Sequence, residues 1–181
     1  MDWLSGQLDS VVLRVTLGSR GEPLLYDSIH SCGCYHMFFP TPRVTPRPAP
    51  QAGMEWAFVP ATLPALGAGQ RVVMRLASRT HYIVGLRAAT AGDAAVATPY
   101  TVMDDNALRV LPTATGGTRS AFLPSGIVPG TDRAERLIFW PMGIDRPGAM
   151  RQWGRQPTAF VGRRHFDDAN LLELRFLISA P

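Results

Sequence analysis

Residues His30-Ser31-Cys32-Gly33-Cys34-Tyr35-His36 hold both cysteines of the chain and two of its four histidines. Thiolate and imidazole are ligands that zinc and other first-row transition metals prefer. If the segment is an extended strand, alternation points His30, Cys32, Cys34 and His36 to one side. Such a row is a candidate metal centre. Geometry limits it: the outer histidines of a straight strand lie roughly 20 Å apart, so one ion joins only neighbouring pairs unless the chain bends at Gly33. Further ligands must then come from elsewhere. His81 and His165 are the remaining histidines, and Cys34, His36, His81 and His165 would make a four-coordinate set, or a three-ligand set with an open position. Asp27 could orient an imidazole by accepting its ring N–H. Arg163 and Arg164, beside His165, could clamp an anionic substrate. A zinc ion with an open position brings bound water to a pKa of about 7, so metal-assisted hydrolysis is the reaction class implied.

The same residues permit other readings. In a straight strand Cys32 and Cys34 lie about 6.6 Å apart at Cα with parallel side chains, too far for a disulfide. Free thiols are expected, which suits a reducing compartment and allows thiol redox chemistry. The spacing H-x-C-x-C-x-H is not an established zinc signature, and cysteine is also a common core residue.

The elements that must position these groups read as short strands. Val11 to Leu17 alternates as a half-buried strand, and Glu55–Val59, Arg71–Ala77, His81–Ala88, Thr98–Met103 and Glu135–Trp140 add further candidates. Arg71 to Ala88 reads as a hairpin turning near Ser78-Arg79-Thr80, and Gly116-Gly117 marks a second one. The fold class expected is mainly β, an antiparallel sandwich or distorted barrel with a short C-terminal helix. That helix is expected to start at Asp167-Asp168 and to carry Leu171, Leu172 and Phe176 at helical spacing. The proline-spaced stretch within residues 40–53 is expected to be a rigid extended loop and not a domain boundary, so residues 1–181 are read as a single β-rich domain.

Composition narrows the classes of function. All eighteen basic residues are arginine, against fourteen acids, for a net charge of +4. Guanidinium favours carboxylate or phosphate, so an anionic small molecule or a protein partner is expected. The arginines are scattered along the chain, with only Arg163-Arg164 adjacent, which argues against nucleic acid as a partner. No apolar run reaches the ~18 residues of a membrane span, and the first residues lack the basic and apolar regions of a signal peptide. A cytoplasmic location is therefore expected, with the reservation that Met1 runs almost directly into a strand pattern, as in a fragment of a longer protein. No serine-hydrolase elbow, phosphate loop or dinucleotide fingerprint occurs. Two tryptophans, Trp140 and Trp153, stand among methionines and arginines in Phe139–Gln156, a composition found at recognition surfaces. A non-catalytic β interaction module is thus the main alternative to a metal-binding domain.

Overall fold

The structure is a computed structural model that describes residues 10–31, 35–90, 92, 99–142, 146–155 and 168–179. It is mainly β, with strands in several antiparallel pairs, few short helices and no closed barrel among the described residues. Contacts group the chain into two compact units. One comprises Val11–Ile29, Tyr35–Thr98 and Ala169–Pro181, and the other Met1–Ser10, His30–Cys34 and Pro99–Asp168.

The first of these, the strand-rich unit, is built on a three-stranded sheet. Strand β1 is Val11–Leu17, β2 is Pro23–His30 and β3 is Met37–Pro40, in the order β1-β2-β3. Central strand β2 pairs antiparallel with β3, Tyr26 facing Phe39 and Asp27 facing Phe38. Both sides of β2 are covered, so its side chains are buried on alternate faces without the polar phase of a half-exposed strand. One face holds Tyr26, Met37 and Phe39 against Leu63 and Ile83. The other holds Phe38 against Val44, Leu171 and Phe176. Each large side chain buried this way contributes roughly 1.5–3 kcal/mol.

Two small elements supply those coverings. Strands β5 (Arg71–Leu76) and β6 (Ile83–Ala89) form the expected antiparallel hairpin, and Val72, Met74 and Leu86 pack on the first core. Strand β4 (Val44–Pro46) pairs with β9 (Phe176–Ile178), placing Val44 and Phe176 in the second core.

Several expected elements differ. The C-terminal helix, α2, spans only Leu171–Arg175, and Phe176–Ile178 is a strand. Leu171 and Phe176 share a core, as the helical spacing suggests, but pairing with β4 extends the chain at Phe176. The proline-spaced segment is correspondingly a strand at Val44–Pro46, where Pro46 occupies the end of a two-stranded pair that tolerates a missing donor. Residues 55–59 contribute a single bridge, Met37 to Phe58, in place of a strand. The segment from His30 to His36 is not one strand: β2 ends at His30, β3 begins at Met37, and the chain reverses between them. The straight-strand separation of His30 and His36 therefore does not apply.

In the second unit, Gly116 and Gly117 both adopt left-handed φ, +85° and +87°, closing the expected hairpin between β7 (Leu111–Pro112) and β8 (Thr118–Arg119). Asp104 caps a 3-10 turn over Asp105–Arg109 by accepting from the Asn106 N–H at 2.8 Å. Buried Gln152 ties this turn down, donating from Nε2 to Asp105 Oδ2 at 2.8 Å and accepting from Arg109. The apolar run expected as strand 135–140 is instead helix α1, Arg136–Phe139, continued by a 3-10 turn to Met142. A short apolar run does not distinguish the two conformations, and here Leu137 and Ile138 both face outward. Residues 99–103 form no strand, and Tyr100 is 88 % exposed.

Phe38 is fully buried and its ring lies 5.2 Å from that of Phe176. Phe38→Ala is expected to cost about 3–5 kcal/mol, read as a lower urea midpoint at unchanged slope.

Candidate functional site

A buried polar cluster interrupts the core around Phe38. Asp27 lies on β2, opposite Phe38, and its side chain is 2 % exposed. His36 precedes β3 by one residue, on the same face as Phe38, and stacks on that ring with centroids 4.0 Å apart. Tyr35 before it has φ of 58°, a left-handed conformation that turns the chain from the reversal into β3. Arg14 comes from β1, where Val12, Arg14 and Thr16 form the less exposed phase and Leu13, Val15 and Leu17 the exposed one.

All three side chains converge on one oxygen. Asp27 Oδ1 accepts from Arg14 Nε at 2.7 Å and lies 2.6 Å from Arg14 Nη2. His36 Nε2 lies 2.9 Å from the same oxygen and 2.9 Å from Arg14 Nη2. Arginine only donates. With its proton on Nε2 the imidazole donates to Asp27; with the proton on Nδ1, Nε2 accepts from Arg14. Both neutral tautomers find a partner at this nitrogen. Burial, first, lowers the His36 pKa from its usual value; Arg14 and Arg175 act the same way, while Asp27 opposes them. Arg175 is itself buried and its guanidinium lies 5.1 Å over the Trp56 ring.

The cluster joins β1, β2 and the entry to β3 around a carboxylate that would be costly to bury alone. Its Asp27 and His36 side chains are each 2 % exposed, and Arg14, at 23 %, is the member that reaches solvent. This is the architecture of a positioning network for the sheet, closed to a bulk-solvent substrate.

The predicted site residues fall in different places. Asp27 does hold an imidazole, that of His36. The guanidinium beside Nε2 opposes a cation there, which leaves Nδ1 for any metal bond from His36. His81 has φ of 54° and closes the β5–β6 turn, its N–H donating to the Ala77 carbonyl at 2.9 Å. The neighbours of His36 and His81 touch: the Tyr35 and Tyr82 rings meet edge-on with centroids 4.8 Å apart. His30 ends β2. Cys32, Cys34, Arg163, Arg164 and His165 lie outside the described residues. Among the described residues no group of three or more His, Cys, Asp or Glu side chains is arranged to hold a metal. Arg14 was not anticipated; its signal is a charge in the inward phase of an alternating apolar strand. Comparison with protein-family models, with curated proteins and with solved structures finds no match to this chain.

Because the folded state favours neutral His36, its contribution is complete above the unfolded pKa of about 6.5 and declines as pH falls below that value. The melting temperature is expected to drop between pH 7.5 and 5.5, and His36→Gln to flatten that drop. Asp27→Asn is expected to cost about 2 kcal/mol or more at pH 7, because it leaves a largely buried guanidinium without its counter-charge. Chemical denaturation of the variant measures the loss.

Proposed function

We infer that the chain is a non-catalytic β module that binds a protein partner through the second unit. The observation that carries this is the exposure of Trp140, at 75 %, directly after helix α1, on which Leu137 is 61 % and Ile138 52 % exposed. Trp153, in the same unit, is 47 % exposed. Neither tryptophan serves as a core plug. Among the described residues of this unit the buried hydrophobic side chains are Phe122, Ile127 and Ala149, far fewer than its exposed ones. Large exposed apolar side chains around an aromatic anchor are the composition of an interface centre.

The test compares wild type with Leu137→Ser/Trp140→Ser. Both should melt at the same temperature, since the substituted side chains are exposed. Affinity capture should retain at least one protein with wild type that the variant loses, and a purified complex should reproduce the difference. Identical captures would overturn the reading, and a wild-type dimer that the variant lacks would identify the partner as a second copy.

A second reading, metal binding, draws support from the ring contact between Tyr35 and Tyr82, the sequence neighbours of His36 and His81, and from the two cysteines that stand just before Tyr35 in the sequence. On this reading, protein purified without added metal contains zinc in near-stoichiometric amount, and Cys32→Ser/Cys34→Ser loses it. Elemental analysis of both proteins decides the matter.

A further inference from the structure

Folding gathers arginines that the sequence scatters. The expectation against nucleic acid rested on their dispersal along the chain. In the β5–β6 hairpin, Arg71, Val73 and Arg75 form the outward phase of β5, while Val72 and Met74 pack on the core. Arg87 on β6 stands opposite Val73, midway between the two. Arg75 stands opposite Gly85, and its side chain runs within ordinary contact distance of where a Cβ at that glycine would sit. Arg79 is at the turn. All four arginines are exposed, and no ion pair or hydrogen bond engages their side chains among the described residues. From Glu55 to Asp93 no acidic residue intervenes.

The spacing is regular. Arg71 and Arg75 are about 13 Å apart along the strand, and Arg87 lies about 8 Å from each. The face is a two-stranded ribbon studded with unpaired guanidinium groups at intervals a phosphate backbone can match. A two-stranded ribbon fits the major groove of duplex DNA. The hairpin carries one aromatic residue, Tyr82, and its ring is engaged with Tyr35, so there is no stacking platform for single-stranded bases. The turn, Ser78-Arg79-Thr80, has no large apolar group to insert into a lipid surface.

We propose that the β5–β6 ribbon binds the phosphate backbone of duplex nucleic acid through Arg71, Arg75, Arg87 and Arg79. The contact is sequence-independent and salt-sensitive. It does not depend on the protein-partner reading of the second unit, which concerns other residues.

The experiment is fluorescence anisotropy with a labelled 24-base-pair DNA duplex and the full chain. Binding is expected in the micromolar range at ~50 mM salt, with the logarithm of affinity falling against that of salt with a slope of about −3.6 for four phosphate contacts. The triple variant Arg71→Gln/Arg75→Gln/Arg87→Gln should lose at least about tenfold in affinity, and its slope should shrink to about −1. A control of equal charge change, Arg20→Gln/Arg119→Gln/Arg155→Gln, replaces exposed arginines elsewhere and should bind like wild type. Circular dichroism melts establish that all three proteins fold. No binding by wild type, equal losses in both triple variants, or tighter binding to the corresponding single strand would overturn the proposal. So would binding to phosphatidylglycerol vesicles or an oligo-glutamate peptide in preference to the duplex.

Discussion

A carboxylate buried in the middle strand of a three-stranded sheet is the constraint around which the strand-rich unit is arranged. Burying that carboxylate without a counter-charge would be costly, and Arg14 reaches Asp27 from the neighbouring strand. His36 completes the cluster from the far side of the hairpin, contributing an imidazole that either neutral tautomer satisfies. These three positions fix register. A slip of one residue between β2 and β3 would turn Asp27 or His36 to the opposite core, among Tyr26, Phe39 and Leu63. The polar cluster thus specifies a pairing that the apolar residues, present on both faces, would define less sharply.

The two units differ in how they use apolar side chains. In the strand-rich unit, large residues from many separate segments meet in two cores. In the other, loops and turns are held by directed polar contacts, with Gln152 binding the Asp105 turn and Thr131 receiving the Met150 N–H at 3.0 Å, while several aromatic and aliphatic groups face out. Polar stitching of that kind orders a surface without hiding it, which is the property an association surface requires.

Much of the fold was legible in the residue pattern. Period-two alternation located β1, and the hairpins at Arg71–Ala88 and at Gly116-Gly117 followed from turn residues between apolar runs. Long-range pairing was not legible. Nothing local in Phe176-Leu177-Ile178 distinguishes another half-turn of helix from a strand; the presence of Val44–Pro46 across from it decides. The 30–36 segment failed for a related reason, because a strand and a reversal share its composition until the Asp27–Phe38 register is known. In the candidate site, the sequence puts Asp27 three residues from His30, whereas the ring at its carboxylate is that of His36, brought close by the β2–β3 pairing. Arg71 and Arg75 share a face by the alternation of the expected hairpin, but the placing of Arg87 between them needed the β5–β6 register.

The acid-free hairpin has a consequence for the molecule as a colloid. It carries four arginines, and the fourteen found elsewhere are matched by fourteen aspartates and glutamates, so the remainder of the chain is formally neutral. The whole surplus of charge that keeps copies apart near neutral pH therefore resides on one ribbon. Any polyanion that covers it also removes the mutual repulsion between molecules, so occupancy and condensation are coupled by the same few guanidinium groups.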